Sequence, residues 1–189
     1  MGPPPTDERL MLQVYHGNVE RLALLFDRYQ IPLFNFFLRL SSDRQASEDM
    51  VQEVFVRILK YRQSFRPGAT FRSWLYQVAR NVRHDARPRL STVPPVEAES
   101  PAIEPAAESA HDTALLQRAL MALPEEKREV LILSRLEGLN HREIAEALGC
   151  QPGAAKVRIH RALKELRQQF FQLERHAAID RPASGGSAP

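Results

Sequence analysis

The segment Ser91–Asp112, "STVPPVEAESPAIEPAAESAHD", most restricts how this chain can fold. It carries four prolines and five acidic residues, and almost no large apolar side chains. Such a segment cannot bury enough surface to offset its ordering entropy. A chain of 189 residues interrupted there must build a separate core on each side. In both blocks apolar residues recur at helical rather than alternating spacing, and glycine is scarce. The expectation is an all-α protein of two small helical domains joined by a flexible linker. The boundaries read as a disordered leader at 1–6, a first domain at 7–89, the linker at 90–113, a second domain at 114–175 and a disordered tail at 176–189.

In the first block Leu22, Leu25, Phe26, Tyr29, Leu33, Phe36, Phe37 and Leu40 form one apolar stripe. Pro32 falls inside it, so a kink or break is expected there. The spacing predicts a second helix from Gln45 to Tyr61 with Met50, Val51, Val54, Phe55, Ile58 and Leu59 inward. The Pro-Gly pair in Ser64–Thr70 marks a loop. A third helix follows from Phe71 to near Arg87, with Trp74, Leu75, Val78, Ala79 and Val82 inward.

The second block ends in two helical patterns around a sharp turn. Asn140 can cap a helix starting at His141, with Glu143 completing a variant capping box. Ile144, Ala145 and Leu148 face inward, and Gly149 ends the helix because glycine takes the left-handed conformation without strain. Pro152 restarts helical geometry, and Ala155, Ile159, Ala162, Leu163 and Leu166 form the next inner stripe. The small alanines let the two helices cross closely, as a helix-turn-helix requires. The outer face of the second helix shows Lys156, Val157, His160, Arg161 and Lys164. A helix of this kind lies in the DNA major groove, where arginine and lysine serve both phosphates and guanine edges.

Charge is distributed unevenly: +5 over residues 1–90, −5 over 91–113 and +3 over 114–189. From Lys60 to Arg89 there are 8 basic residues and 1 acid, interleaved with aromatics. Cations that track phosphates, beside aromatics that take unstacked bases, suit single-stranded nucleic acid. A single cysteine, Cys150, excludes an intramolecular disulfide and a cysteine-rich metal centre. His141, Glu143 and His160 do not follow metal-ligand spacing. No apolar run reaches the roughly 18 residues of a membrane span, and the start lacks a signal-peptide pattern. With no nucleophile–base pair or phosphate-cradling loop, the chain reads as a non-enzyme. No catalytic residue, metal, cofactor or membrane insertion is expected, and its place is the cytoplasm.

Three segments in order carry a specific resemblance: Ala46–Ile58 ("ASEDMVQEVFVRI"), Phe71–Asn81 ("FRSWLYQVARN") and Ala119–Gly149 ("ALMALPEEKREVLILSRLEGLNHREIAEALG"). Together they are similar to extracytoplasmic-function sigma factors, the small two-domain initiation subunits of bacterial RNA polymerase. The likeness runs from Leu22 to Phe170 apart from the linker. It implies partners in core RNA polymerase, promoter DNA (duplex and melted single strand) and an anti-sigma factor. It implies that Asp49, Val51, Gln52, Glu53, Val54 and Phe55 dock on the polymerase clamp helices. It also implies that the helix with Asn81, and the loop Phe65–Thr70, open the minus-ten element and hold a flipped base. With the arginines of the basic helix, that candidate set is Phe65, Arg66, Thr70, Arg72, Arg80, Asn81, Arg83 and Arg87. Lys156, Val157, His160 and Arg161 match recognition positions for the minus-thirty-five element. Arg158 is their basic neighbour, and His141 and Arg142 match backbone contacts.

This sequence departs from the family at Gln151, Ala154, Ala155 and Val157, where hydroxyl-bearing or branched residues are usual. Val157 offers an apolar group that could meet a thymine methyl. A conventional repressor with a ligand-sensing first domain shares the helix-turn-helix, but it has no need of the Asp49–Phe55 helix or the basic aromatic helix.

Overall fold

The computed structural model describes the backbone of residues 4–90 and 107–179, and the side chains of 4–86 and 112–176. Among the described residues there are eight α-helices and no β-strand. They are α1 (Asp7–Tyr15), α2 (Leu22–Ser41), α3 (Arg44–Lys60), α4 (Phe71–Leu90), α5 (Ala107–Met121), α6 (Glu125–Leu131), α7 (His141–Leu148) and α8 (Pro152–Ile179). Short 3₁₀ turns precede α2 and follow α3, and a wider π turn, Ile132–Leu136, continues α6.

The first four helices enclose an aromatic core. Phe26 meets Phe55, Tyr29 meets Phe71 and Phe36 meets Tyr76 edge to face, with ring centroids 4.9, 5.4 and 5.3 Å apart. The leader is not wholly disordered. Thr6 caps α1 by accepting from the Arg9 amide, and Arg28 donates to the Pro5 carbonyl at 3.1 Å. Glu8 in turn accepts from the Phe71 amide at 3.1 Å, so α1 satisfies a donor at the start of α4.

Pro32 does not break α2. The helix runs unbroken through it, because Leu25, Tyr29, Leu33, Phe36, Phe37 and Leu40 are buried on both sides of the proline. At roughly 1.5–3 kcal/mol per buried large side chain, that face outweighs a proline penalty of about 3 kcal/mol. Leu59 was expected inside but is exposed, at the edge of the α3 stripe.

In the second domain α8 packs against α5, α6 and α7. The helical turn at its centre follows the sequence reading closely. The Asn140 side chain accepts from the amides of Arg142 and Glu143 at 2.9 and 3.0 Å, while Glu143 accepts from the Asn140 amide at 2.8 Å. Gly149 ends α7 at φ +62°. Two boundaries differ from expectation. Of the expected linker, residues 91–106 lie outside the described residues, but α5 already begins at Ala107. Likewise α8 continues to Ile179, past the expected start of a tail at 176, and 180–189 lie outside the described residues.

Candidate nucleic-acid and polymerase interfaces

Three stripes divide α4. Phe71, Leu75, Ala79 and Val82 point into the first domain's core and are buried. Trp74, Gln77, Val78 and Asn81 form a second stripe that walls a cavity of about 680 Å³. Arg72, Tyr76, Arg80 and Arg83 form the third, at spacings that keep one helix face.

The cavity lies between the end of α3, the loop 65–70 and α4, with Tyr61, Ser64, Arg66, Ala69, Thr70 and Ser73 completing that side of its wall. Arg66 and Asn81 are exposed and Thr70 is half-buried, so three of the candidate residues meet at one opening. Trp74, expected in the core, is half-buried: its ring packs against Phe65 at 5.4 Å while it lines the cavity. The Ser73 hydroxyl is buried there without a hydrogen-bond partner. Phe65 is a correction. It is 1% exposed, its ring packed against Phe71 and Trp74. The ring is therefore part of the packing under the loop rather than of the cavity wall. Arg87 falls in α4, but its side chain lies outside the described residues.

The residues of α3 expected to dock divide between core and surface. Val51, Val54 and Phe55 are buried in the first domain's core, and the edge of Val51 that stays open lines the groove beside α3. Asp49 and Gln52 are exposed and Glu53 is half-buried, its carboxylate held by Arg57 at 2.7 Å. The outward strip of α3 is Asp49, Gln52, Val56 and Leu59; Val56 is 58% exposed. Beside it, Phe26, Ile31 and Phe34 line a shallow groove with Arg44, Glu48 and Gln52. Leu59 was read as core, and Ile31 and Val56, which fall outside both inward stripes, carry no sequence signal that separates a partner surface from a scattered exposed apolar residue.

On the second domain, His141, Arg142, Lys156, Val157, Arg158, His160 and Arg161 are all exposed. Ala155, Ile159 and Ala162 are buried beneath them and fix which face of α8 looks outward.

Another cluster was not anticipated. Arg72 donates to the Glu137 carbonyl, and the buried Tyr76 hydroxyl donates to the Glu137 carboxylate. Arg80 Nε donates to Glu129 at 2.9 Å, and its Nη1 to the Ala147 carbonyl at 2.9 Å. Arg83 lies 3.6 Å from the Glu125 carboxylate. Arg128, buried in the second domain, reaches across to the Leu40 carbonyl at the end of α2, at 3.1 Å, while also serving the carbonyls of Met121 and Leu123. Burial lowers the Arg128 pKa. Burial raises the carboxyl pKa of Glu129 against the pull of Arg80, and that of Glu137 against its bond from Tyr76. The two domains therefore meet along the cationic stripe of α4. In sequence, Glu125 lies where an acid suits a helix N-terminus, and nothing local marks it or Glu129 as a partner for the first domain.

Among the described residues no helix is long and apolar enough to cross a membrane, and no group of three or more histidine, cysteine or acidic residues is placed to hold a metal. Residues 25–91 match the family "Sigma-70 region 2" and residues 113–166 match "Sigma-70, region 4". The chain is 33% identical to the ECF RNA polymerase sigma factor SigE of Mycolicibacterium smegmatis, over 86% of this chain and 68% of that protein. It is 31% identical to the RNA polymerase sigma factor CarQ of Myxococcus xanthus, over 82% of this chain and 91% of that one. Among solved structures it resembles CnrH in complex with the cytosolic domain of CnrY, with TM-score 0.65 and 25% identity over 86% of this chain and 95% of that one. It also resembles the sigma factor RpoE of Bartonella quintana in complex with the anti-sigma factor NepR, with TM-score 0.60 and 27% identity over 85% and 98%.

Proposed function

The chain belongs to the extracytoplasmic-function sigma factors, non-enzymatic subunits that direct core RNA polymerase to promoters, and we propose how its surfaces divide that work. The outward strip of α3, with Asp49, Gln52, Val56 and Leu59, docks on core polymerase. Exposed apolar groups beside acids suit a partner surface that pairs apolar contacts with basic neighbours. The α3–α4 cavity takes one unstacked base of the opened minus-ten strand, and the arginine stripe of α4 follows its phosphates. The outer face of α8 reads the minus-thirty-five duplex, with His141 and Arg142 on the backbone.

The observation that carries the reading is the cavity itself. It joins an aromatic wall (Tyr61, Trp74) to hydrogen-bonding groups (Thr70, Ser73, Gln77, Asn81) and to Arg66 at the rim. A flipped base needs a stacking face, a few polar contacts to its edge and a cation for its phosphate. The division at residues 7–90 and 107–179 follows the same plan, one domain for each promoter element. The solved sigma factor RpoE with the anti-sigma factor NepR supports control of this chain by such a protein, and work on the polymerase implies the cytoplasm.

Core polymerase saturated with the chain identifies a promoter by run-off transcription on genomic fragments. On that promoter, Asn81→Ala is expected to lower open-complex formation, read by permanganate footprinting, at least tenfold. Binding to a closed minus-thirty-five duplex should be unchanged. Wild-type opening by the variant would remove the cavity from the function.

A further inference from the structure

One cation in the wall of the α3–α4 cavity was not among the residues expected to meet DNA. Arg57, near the end of α3, lines it together with Tyr61 and Asn81. Its Nε donates to the Glu53 carboxylate and its Nη1 to the Asp85 carboxylate of α4, each at 2.7 Å. Asp85 stands one turn beyond Asn81, so the guanidinium is held beside the amide that closes the same opening. Two of its three nitrogens are thus fixed from two helices, while the side chain keeps 24% exposure. The third, Nη2, has no hydrogen-bond partner among the described residues and is not sealed from solvent. A guanidinium has no acceptor, so Nη2 offers N–H groups only. Thr70, Gln77 and Asn81 in the same wall can each donate or accept, and adapt to any base edge. A donor-only group that is held in place imposes a choice. No acid of the first domain lines the cavity; Glu146 reaches it from the second, its carboxylate 3.6 Å from Arg142.

Charge decides what kind of acceptor suits Nη2. Glu53 and Asp85 set two negative charges against the one positive charge of Arg57, so a phosphate is repelled there. Arg66, exposed at the rim and in no ion pair among the described residues, is the better cation for a phosphate. What remains for Nη2 is a neutral acceptor on the base itself. Cytosine, thymine and guanine each carry a carbonyl oxygen, whereas adenine has none and presents an amino group where thymine and guanine present oxygen. A cavity of about 680 Å³ excludes none of the four by size. We propose that Arg57 reads the unstacked base by donating from Nη2 to a base carbonyl, with Glu53 and Asp85 as its positioning residues, so that the cavity takes a carbonyl-bearing base and disfavours adenine. This rests on the base-capturing role of the cavity proposed above. Held on both sides, the guanidinium loses little freedom on binding, which favours discrimination. Glu53 lies in the segment expected to dock on polymerase, yet here its carboxylate aims a donor at the strand.

The test uses holoenzyme and the promoter found by run-off, prepared as heteroduplexes in which each non-template minus-ten base is replaced in turn by the other three. The position read by the cavity is the one whose base preference Asn81→Ala alters. There the wild type should open the adenine form roughly tenfold less than the best carbonyl-bearing form, the scale of one specific base contact. Arg57→Gln should bring the two forms within about twofold of each other and leave the preferences at other positions as they were. Three results overturn the proposal: adenine accepted as well as the other bases by the wild type, discrimination kept by Arg57→Gln, or a loss of one common factor on every form, which a merely structural arginine would give. Circular dichroism and binding to the minus-thirty-five duplex report whether the variant folds. If it does not, Asp85→Asn at its exposed site decides: discrimination against adenine should fall roughly threefold as the guanidinium loosens, and unchanged discrimination overturns the proposal. Failure of the underlying reading looks different. If Asn81→Ala alters no position and opens the promoter as the wild type does, the cavity has no base to read and both ideas fall. A defective Asn81→Ala beside full discrimination by Arg57→Gln removes the role of Arg57 alone.

Discussion

Arg161→Ala and Arg142→Ala should have different consequences, because the structure gives the two arginines different stations. Burial of Ala155, Ile159 and Ala162 sets the phase of α8. At about 100° per residue, Arg161 then projects within about 40° of Val157, on the middle of the outward face. No ion pair engages it among the described residues. Arg142 stands at the start of α7, 85% exposed in its side chain and 3.6 Å from Glu146. An exposed pair of that kind is worth about 0–1 kcal/mol, too little to keep Arg142 from a phosphate. An arginine that grips a guanine with two hydrogen bonds contributes about 1–3 kcal/mol of discrimination at one position, a factor of roughly 5 to 160. A phosphate contact instead weakens every sequence alike and, when lost, reduces the slope of log affinity against log salt by about 0.9. Holoenzyme should be titrated against a panel of single-base minus-thirty-five variants at two salt concentrations. Arg161→Ala should flatten the preference at one base pair, and Arg142→Ala should lower all affinities in parallel with the shallower slope. If Arg161→Ala weakens every variant by one common factor, Arg161 is a phosphate contact and the phase argument for base reading fails.

At the ends of α7, Asn140→Ala removes the cap on two amides and should cost about 1 kcal/mol, while Gly149→Ala places a side chain at φ +62° and should cost about 1–2 kcal/mol. Amide exchange in α7 should accelerate roughly 5-fold and 5- to 30-fold respectively, and nearly additively, because the sites lie about 12 Å apart; unchanged protection in either variant refutes its cap. Asp49→Lys with Val56→Glu should weaken competition for core polymerase at least tenfold with unchanged circular dichroism, and wild-type competition would remove the α3 strip from docking.

Local chemistry was legible in the sequence where a residue's role depends on near neighbours. The Asn140–Glu143 box, the left-handed Gly149 and the buried stripe of α8 each follow from spacing within a few residues. The start of α5 was not legible. "AESAHD" is made largely of residues that tolerate helix, yet it follows four prolines and was averaged with them; Pro105 is the last residue that interrupts a helix before Ala107. Phe65 failed for a different reason. An aromatic beside an arginine in a loop has no period to say which way it points, and here the ring fills a gap between Phe71 and Trp74. Val54 and Phe55 lie inward because the motif is continuous in sequence although only every third or fourth residue can face a partner, while Val51 sits at the boundary and lines the groove beside α3.

The contact between the domains was the least legible feature, since pairing across a linker leaves no local pattern. What the sequence does hold is its first half, in α4. A helix that needs only a core face and a solvent face does not place Arg72, Tyr76, Arg80 and Arg83 along one line. An aromatic set between cations is the composition of a single-strand surface, yet here Tyr76 is fully buried, its ring against Phe36 and its hydroxyl on Glu137. A buried tyrosine hydroxyl needs a partner, and Glu137 supplies one only while the domains touch. Separation would leave the ring on Phe36 and open its hydroxyl edge together with Arg72 and Arg80. The stripe proposed for the opened strand is thus satisfied in this structure by acceptors of the second domain.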